Sequence, residues 1–404
     1  MPTATSAERP TGRPRVRFLA HGAERSGPPV ALLRWLRAWR IDDPGFDTEV
    51  VIGRTGPLAP EYAALSELRT AGLDRRSPEQ LVARGFDAVG LAHLGRRVRA
   101  AATRVRVGDR PADLVVVNGA TAAGVELLRT TPQAPTVLIA HELSTGWMSN
   151  IDADDRGLLL SSSQGFLAVS HAVEDFLVEQ LGVAQEIITV VPPPVDVEGV
   201  SPSRRYQSSL ANRCTVVSGG FTDWRKAPDM FIALADRCVK QAPEIDWRFE
   251  WFGGDNLDDP AAWPLRFEIN RLGLGERVVF LGHLKDPGPI LARADIFVST
   301  AREDAAPLVA AEAAGSGLPV VAFDSGGVRE LVSQGPCGII VEEFSALAMA
   351  RAIVALATDR SRREQLGSTG AYVVRKNRSA AHIAERVGSW IHDQLSATAG
   401  SEST

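Results

Sequence analysis

The chain has 404 residues, a formal net charge of −5 at pH 7, 45% hydrophobic residues and 23% charged residues. This length exceeds that of one ordinary hydrophobic core and therefore predicts two domains. The composition is that of a globular protein rather than a disordered one. The acidic balance argues against a nucleic-acid-binding protein, which usually presents a basic face.

Cysteine usage and hydropathy predict a reducing compartment. Cys214, Cys238 and Cys337 are scattered and form no C-x-x-C pair, so neither a zinc site nor a disulfide framework is predicted. No apolar run reaches the length of a membrane span, and the N-terminal residues have no apolar signal core. We therefore expect a cytoplasmic protein. Arginine greatly outnumbers lysine and alanine is abundant, which indicates a GC-rich bacterial genome.

The first half of the chain alternates between apolar strands and helical patterns. Residues 1–14 are rich in proline, threonine and arginine and are predicted to be disordered. Five short apolar segments then predict strands at residues 15–20, 49–53, 113–118, 136–141 and 165–170. This alternation is typical of a parallel sheet with helices on both faces, and residues 15–194 are assigned to a first Rossmann-like domain.

Two charged segments of this half have a structural and a functional interpretation. Residues 30–40 form a basic, Trp-containing amphipathic helix. We expect Leu33 and Leu36 to pack on the sheet while the arginines face water; contact with a membrane surface is the less favoured alternative. The acidic run from Asp152 to Asp155 matches a D-x-D metal motif, but its place between helices predicts a solvated helix start.

The pattern stops at three consecutive prolines, residues 192–194, and residues 195–212 are predicted to be an interdomain linker. Six further apolar segments predict strands of a second doubly wound domain over residues 213–378. They are residues 214–219, 247–252, 277–282, 295–300, 319–323 and 338–341. An amphipathic helix is predicted over residues 379–396 and a disordered tail after it. Ligands of open α/β sheets bind at the carboxyl ends of the strands, so two such domains predict one interdomain cleft.

A glycine-rich, cationic loop follows the first strand of the second domain. Gly219 and Gly220 allow close approach of a ligand to the backbone, and Arg225 and Lys226 supply charge for a diphosphate. The alternative interpretation is a solvated loop that leads into a helix at Pro228. The motif G-x-G-x-x-G is absent, which counts against a dinucleotide oxidoreductase.

Residues 295–330 predict a strand, an acidic loop, a helix, a second strand and a glycine pair. Pro307 suits the first helical position, which places Glu303 and Asp304 at a helix N-terminus, a favourable site for an anion. Glu312 lies inside the helix beside an alanine-rich face. A carboxylate there needs a polar partner or an open cleft.

The acidic loop and its helix resemble the acid-x7-acid signature of the retaining glycosyltransferases of family 4, which have the GT-B fold. The matching residues run from Glu303 to Ala313, and the Gly-x-Pro-Val and Gly-Gly-x-x-Glu segments that follow also match. The chain departs from the family at Ala305 and Ala306, where the family usually has bulkier or glycine-containing residues. The resemblance covers nearly the whole chain and implies that the last helix crosses back to the first domain, which binds the acceptor.

The resemblance also implies the role of each site residue. Lys226 binds the diphosphate of a nucleotide-sugar donor together with Arg225, which substitutes for a family arginine whose position falls on Phe221. Asp304 hydrogen-bonds the donor sugar and Glu312 the ribose. The implied catalytic residues are His141, Arg225, Lys226 and Asp304. The implied donor-binding residues are Gly27, Gly220, His283, Leu284, Glu303, Ala305, Ala306, Leu308 and Glu312.

Two of these residues and one loop keep a second interpretation. His141 ends a predicted strand and either contacts the transferred sugar and stabilises departing charge, or is a buried histidine bonded to the backbone. His283 lies in the loop that reads the base in this family, or is a surface histidine. The loop from His21 to Gly27 resembles the family's first loop, although a glycine-rich loop follows the first strand of any Rossmann domain.

The implied function is retaining transfer of a sugar, from a UDP-sugar in our preferred interpretation, to an acceptor hydroxyl, in bacterial glycan or secondary-metabolite biosynthesis. We expect neither a metal nor a cofactor. One alternative is a nucleotide-sugar 2-epimerase or hydrolase of the same architecture, and another is a nucleotide-sugar-binding protein without turnover. The donor sugar, the acceptor, the pathway and the oligomeric state stay open.

Overall fold

The computed structural model describes residues 12–72, 77–108, 110–196, 212–254 and 256–401. The first domain contains β1 (Arg15–Gly22), α1 (Gly27–Ile41), β2 (Asp47–Arg54), α2 (Ala59–Leu65), β3 (Glu67–Thr70), α3 (Pro78–Ala88), α4 (Ala92–Val107), β4 (Leu114–Asn118), α5 (Ala122–Thr130), β5 (Thr136–Ala140), α6 (Ser144–Asn150), α7 (Ala153–Ser162), β6 (Ser163–Ala168), α8 (His171–Leu181) and β7 (Ile188–Val190).

The second domain contains β8 (Arg213–Gly219), α9 (Pro228–Gln241), β9 (Asp246–Phe252), α10 (Trp263–Arg271), β10 (Val278–Phe280), α11 (Gly288–Arg293), β11 (Ile296–Ser299), α12 (Leu308–Gly315), β12 (Val320–Phe323), α13 (Val328–Ser333), β13 (Gly338–Val341), α14 (Ala346–Thr358) and α15 (Arg360–Asn377). The last helix is α16 (Ala380–Ser401).

Both sheets are parallel and doubly wound, which confirms the predicted fold class. The strand order is β3-β2-β1-β4-β5-β6-β7 in the first domain and β10-β9-β8-β11-β12-β13 in the second. In each sheet the winding direction reverses beside the first strand, between β1 and β4 and between β8 and β11. A crevice opens at this switch point at the carboxyl ends of the strands. The two crevices face each other across one cleft.

The strands predicted from apolar runs are present, with ends that differ by one or two residues. Residues of β4 and β5 are buried throughout, as expected for central parallel strands. Two strands, β3 and β7, were not predicted. They lie at the two edges of the first sheet and are only partly buried. β3 lacks an apolar run, whereas β7 lies in the apolar segment 187–191 but is only three residues long. Trp247, Trp251 and Phe252 lie in the core.

The last helix packs on the first domain. Ile383, Val387 and Trp390 join the hydrophobic core of that domain. The indole Nε1 of Trp39 on α1 donates to the Ala384 carbonyl at 3.0 Å. The prediction of a disordered tail after residue 396 is wrong up to Ser401, because no helix-stop signal interrupts the alanine-containing sequence before Gly400 and the helix continues.

The chain crosses between the domains at two adjacent places. At the first, Val195 follows the three prolines; at the second, Ser379 precedes α16. Val195 N donates to the Arg378 carbonyl at 2.7 Å, and Val195 and Ser379 form a parallel bridge. Residues 197–211 of the predicted linker 195–212 lie outside the described residues, as do residues 1–11 of the predicted N-terminal tail. Within the described ranges, no helix is both long and apolar enough to cross a bilayer.

Candidate active site

The interdomain cleft has a volume of about 750 Å³ and brings together all thirteen site residues named from the sequence. The first domain contributes the ends of β1 and β5 and the start of α1. The second domain contributes the loop after β8, the loop after β10 and the acidic loop before α12. Residues more than 270 positions apart therefore line one cavity.

The cationic loop is shaped by two unusual backbone positions. Gly220 has φ of +146°, and a Cβ atom there would lie 3.1 Å from Cγ of Lys226, so the absence of a side chain lets the lysine cross this position. Ala227 has φ of +55°, a left-handed conformation that is uncommon for alanine. The hydroxyl of Thr300, after β11, donates to the Ala227 carbonyl at 3.0 Å and stabilises this turn. The loop therefore holds Lys226 toward the cleft.

The cations of this loop meet the acidic loop. Lys226 Nζ bonds Asp304 Oδ2, and Arg225 Nη1 lies 3.9 Å from Asp304 Oδ1. Arg225 also donates to the Glu303 carbonyl at 3.2 Å. The Asp304 side chain is only 10% exposed. Two cations thus lie beside one buried carboxylate inside the cleft.

A glycine pair after β12 supports the acidic loop. Asp304 N donates to the Ser325 carbonyl at 2.7 Å, and Gly327 N donates to the Asp304 carbonyl at 3.0 Å. Gly326 has φ of +119°, and a Cβ atom there would lie 2.7 Å from the Asp304 carbonyl oxygen. Only glycine permits this approach. Pro307 is the residue before α12 rather than its first residue, because its ψ of 87° is not helical.

Glu303 and Glu312 both reach the first domain. Thr145 N, in the first turn of α6, donates to the two carboxylate oxygens of Glu303 at 3.2 and 3.1 Å. Arg34 of α1 bonds Glu312 Oε1 and also donates to the Pro194 carbonyl at 2.8 Å. The prediction that the arginines of α1 face water is therefore wrong for Arg34, whose side chain is 12% exposed. Leu33 and Leu36 are buried as predicted.

His141 at the end of β5 carries a neutral ring. Its Nε2 lies 2.7 Å from Asn118 Oδ1, and Asn118 Nδ2 donates to the Pro28 carbonyl at 3.2 Å. Because the Asn118 nitrogen is engaged by Pro28, the proton between the two side chains belongs to His141 Nε2, and Nδ1 is left as an acceptor. Burial, with a smaller contribution from nearby His21, lowers the pKa of His141 to about 3. The ring can exchange hydrogen bonds with hydroxyl groups without becoming charged.

Two carboxylates that the sequence did not single out as site residues lie at strand ends of the first domain, Glu142 beside His141 and Glu24 beside His21. Glu142 accepts hydrogen bonds from Ala120 N at 3.0 Å and His141 N at 3.1 Å, and burial raises its pKa. Glu24 lies 3.1 Å from His21, and this hydrogen bond lowers the pKa of Glu24. Their positions after strands β5 and β1 are the only sequence signal that points to them.

Aromatic residues flank the cations at the mouth of the cleft. Phe221 and Trp224 are 51% and 65% exposed, although both are large and apolar. The guanidinium of Arg302 lies 5.3 Å from the centre of the Trp224 ring, which stabilises the indole by a cation–π contact. His283 is exposed in the loop after β10, beside the half-buried Leu284.

The described residues contain no group of three or more His, Cys, Asp or Glu side chains that could hold a metal ion. The acidic run at Asp152 begins α7, as predicted, but the Asp155 side chain is only 14% exposed and is not solvated. Asp152 accepts a hydrogen bond from Asp155 N at 2.8 Å, and Asp155 pairs with Arg129 at 2.7 Å.

Two family models match the chain. The model described as Glycosyltransferase Family 4 matches residues 16–198, and the model described as Glycosyl transferases group 1 matches residues 212–359. A D-inositol 3-phosphate glycosyltransferase of Paenarthrobacter aurescens is 29% identical over 220 residues, which are 53% of each chain. The lipopolysaccharide core biosynthesis mannosyltransferase LpcC of Rhizobium leguminosarum is 27% identical over 280 residues, 67% of this chain and 75% of the relative.

A second D-inositol 3-phosphate glycosyltransferase, from Nocardia farcinica, is 31% identical over 230 residues, 54% of this chain and 47% of the relative. The chain thus matches about half the length of these inositol phosphate glycosyltransferases. Among solved structures, HepE of Anabaena, in complex with UDP and glucose, superposes with a TM-score of 0.70 at 20% identity, over 93% of this chain and 99% of HepE. Sucrose-phosphate synthase of Thermosynechococcus elongatus superposes with a TM-score of 0.73 at 18% identity, over 95% and 100%.

Two Rossmann-like domains that face a single cleft define the GT-B fold of glycosyltransferases, and the solved structures share it. The two family models together span most of the chain on both sides of the domain crossing. The chain belongs to glycosyltransferase family 4, within the group 1 glycosyltransferases.

Proposed function

We propose that this chain is a retaining, metal-independent glycosyltransferase that moves a sugar from a UDP-sugar to a hydroxyl group of an acceptor. The observation that carries the proposal is the convergence of Arg225 and Lys226 on Asp304 inside the cleft. A departing nucleoside diphosphate needs preset positive charge, and stabilising developing charge is usually the largest catalytic contribution. The names of the relatives support sugar transfer, and the UDP and glucose bound to HepE support a UDP-sugar.

The proposed reaction assigns a task to each residue. Arg225 and Lys226 offset the charge on the diphosphate as the bond from the anomeric carbon to the phosphate oxygen breaks. The acceptor oxygen forms its bond to the same carbon on the same face, and its proton passes to the leaving phosphate oxygen. Asp304 accepts hydrogen bonds from the donor sugar, and the neutral His141 ring binds a hydroxyl beside it. Glu312 accepts hydrogen bonds from the ribose. No protein nucleophile takes part.

The first experiment is a thermal-shift screen across nucleotide-sugars, followed by an assay of nucleotide release with and without acceptors. A ligand at about 100 times its dissociation constant adds roughly 2.7 kcal/mol of stability. The expected result is stabilisation by a UDP-sugar and release of UDP that requires an acceptor, with retained anomeric configuration by NMR. Product without an acceptor would indicate an epimerase or hydrolase. Binding without turnover would indicate a sensor or binding subunit. The scattered cysteines favour a cytoplasmic location and the excess of arginine over lysine a bacterial origin, and we infer glycan or secondary-metabolite biosynthesis as the pathway.

Asp304→Asn is expected to change the ratio of kcat/KM among donor sugars, whereas Glu312→Gln is expected to weaken all donors of one nucleotide about equally. The reason is that Asp304 lies where the sugar ring is proposed to bind, and a wrong sugar leaves a buried polar group unpaired. Measuring kcat/KM for several donors decides this. Asp324→Asn is the matched control, because Asp324 is 39% exposed and pairs with Arg329 outside the cleft. Unchanged ratios in Asp304→Asn would contradict the assignment.

Turnover is expected to survive treatment with EDTA. Two side-chain cations lie at the proposed diphosphate site, and the D-x-D run begins a helix away from the cleft. The measurement is the initial rate of nucleotide release before and after chelation, with added manganese or magnesium in a parallel reaction. A complete loss of rate that either metal restores would rule out the metal-independent mechanism.

A further inference from the structure

The pairing of Arg34 with Glu312 links the two domains inside the cleft. Arg34 belongs to α1 of the first domain, and Glu312 belongs to α12 of the second. Their side chains are 12% and 13% exposed, and both line the cavity. A pair this well buried is stabilising only when the geometry and the remaining hydrogen bonds are good. The position of the pair in the cleft suggests a role beyond stability.

The guanidinium of Arg34 is held at both ends. Nη1 donates to the carbonyl of Pro194, the last of the three prolines before the domain crossing, at 2.8 Å. Nη2 donates to Oε1 of Glu312. The next residue, Val195, donates its backbone N–H to the Arg378 carbonyl at 2.7 Å, which holds the backbone beside this carbonyl. Arg34 therefore connects the Pro194 carbonyl to the Glu312 carboxylate by two hydrogen bonds.

Only one oxygen of Glu312 is engaged by Arg34. Among the described residues, no hydrogen bond or ion pair joins Arg34 to Oε2. This oxygen can therefore accept hydrogen bonds from hydroxyl groups. Burial raises the pKa of Glu312. Asp196, next to Val195, and Asp286, after β10, make smaller contributions in the same direction. Arg34 acts in the opposite direction and favours the charged carboxylate.

We propose that Arg34 is a positioning residue for donor recognition: it holds the Glu312 carboxylate in the orientation that accepts hydrogen bonds from the vicinal hydroxyls of the donor ribose. This inference rests on the proposed function, because it requires a nucleotide donor. It adds that the first domain takes part in recognising the nucleoside. Arg34 acts through Glu312 and is therefore distinct from a catalytic residue.

The test compares the binding of UDP and 2′-deoxy-UDP by calorimetry to the wild type, Arg34→Ala, Arg34→Gln and Arg34→Lys. The wild type is expected to prefer UDP. Arg34→Ala and Arg34→Gln are expected to weaken UDP binding at least tenfold and to bring the ratio of the two affinities close to one. Arg34→Lys should recover part of the preference. Arg34→Gln provides a second variant if Arg34→Ala does not fold, because the glutamine amide can still donate to the Pro194 carbonyl.

The pH dependence of UDP binding separates positioning from a structural role. Without Arg34, burial together with Asp196 and Asp286 keeps Glu312 protonated to higher pH. The pH above which UDP binding reaches its full affinity should therefore be higher in Arg34→Ala than in the wild type. Arg37→Ala is the matched control. Arg37 lies on the same helix, is 50% exposed, pairs with Glu61 and lies outside the cavity.

The outcomes distinguish this inference from the proposed function. If the wild type binds UDP but Arg34→Ala keeps its affinity and its preference over 2′-deoxy-UDP, the positioning role is wrong and the proposed function stands. Tighter binding of UDP by Arg34→Ala also overturns it, because Arg34 would then compete with the ligand. If the wild type binds no nucleoside diphosphate, both proposals fail together.

Discussion

Lys226→Ala is expected to lower kcat/KM with a nucleotide-sugar by about 100-fold or more, in line with the effect of removing one preset charge-stabilising group from an active site. Lys226 reaches Asp304 across Gly220, and its side chain is only 16% exposed. A charge-assisted hydrogen bond in such a place contributes roughly 1.5–3 kcal/mol. Arg225→Ala should act in the same direction, with a smaller effect because Arg225 lies farther from Asp304 and is more exposed.

Binding of UDP and of uridine separates the phosphate role of Lys226 from a general disturbance of the cleft. The variant should lose affinity for UDP and keep the weaker affinity of the wild type for uridine. Lys240→Ala is the matched control, because Lys240 pairs with Asp236 at 2.8 Å on the surface of α9 and is 62% exposed. Wild-type kinetics in both Lys226→Ala and Arg225→Ala would mean that this loop is not the phosphate site.

The central strands and the cationic and acidic loops could be predicted from the sequence because their signals are local. A buried parallel strand such as β4 needs a continuous apolar run. Loops at the carboxyl ends of the strands beside the switch point line the crevice. The edge strands β3 and β7 could not be predicted in this way. β3 has one apolar residue, too few to be distinguished from a loop, and β7 is apolar but only three residues long.

The partners of buried charges could not be predicted, because they come from distant parts of the chain. The helical period of α1 correctly predicted that Leu33 and Leu36 are buried, and the same period predicted that Arg34 faces water. That prediction failed because the surface beside Arg34 is covered by α12 of the other domain, 278 residues away along the chain. An amphipathic pattern reports which face of a helix packs on its own sheet and carries no information about a second domain.

Glu49→Ala is expected to lower the free energy of unfolding of the first domain by about 3–5 kcal/mol, because it leaves a buried charge without its partner. Arg17 and Glu49 face each other on β1 and β2, are 0% and 1% exposed, and are joined by a bond of 2.8 Å from Nε to Oε2. Arg69 reaches the other oxygen of Glu49 at 2.8 Å and can turn to solvent when the carboxylate is removed. Arg17 is fully buried and cannot turn to solvent.

The loss is best measured by hydrogen exchange of the amides of β1 and β2, because a two-domain protein need not unfold in a single step. Glu67→Ala is the matched control: Glu67 is 42% exposed, pairs with Arg69 and Arg110, and should change stability by less than about 1 kcal/mol. Replacing Arg17 and Glu49 together by leucine should recover part of the loss, since no unpaired charge then remains between the strands.

The Glu49→Ala variant should also keep the KM of the wild type for the donor at temperatures where it stays folded, because neither Arg17 nor Glu49 lines the cleft. This combination of a large loss of stability with an unchanged KM is the reverse of the result expected for Lys226→Ala. Equal stability of Glu49→Ala and Glu67→Ala would contradict the role given to the buried pair. A raised KM in Glu49→Ala would instead show that the packing between β1 and β2 controls the position of the loop that begins at His21.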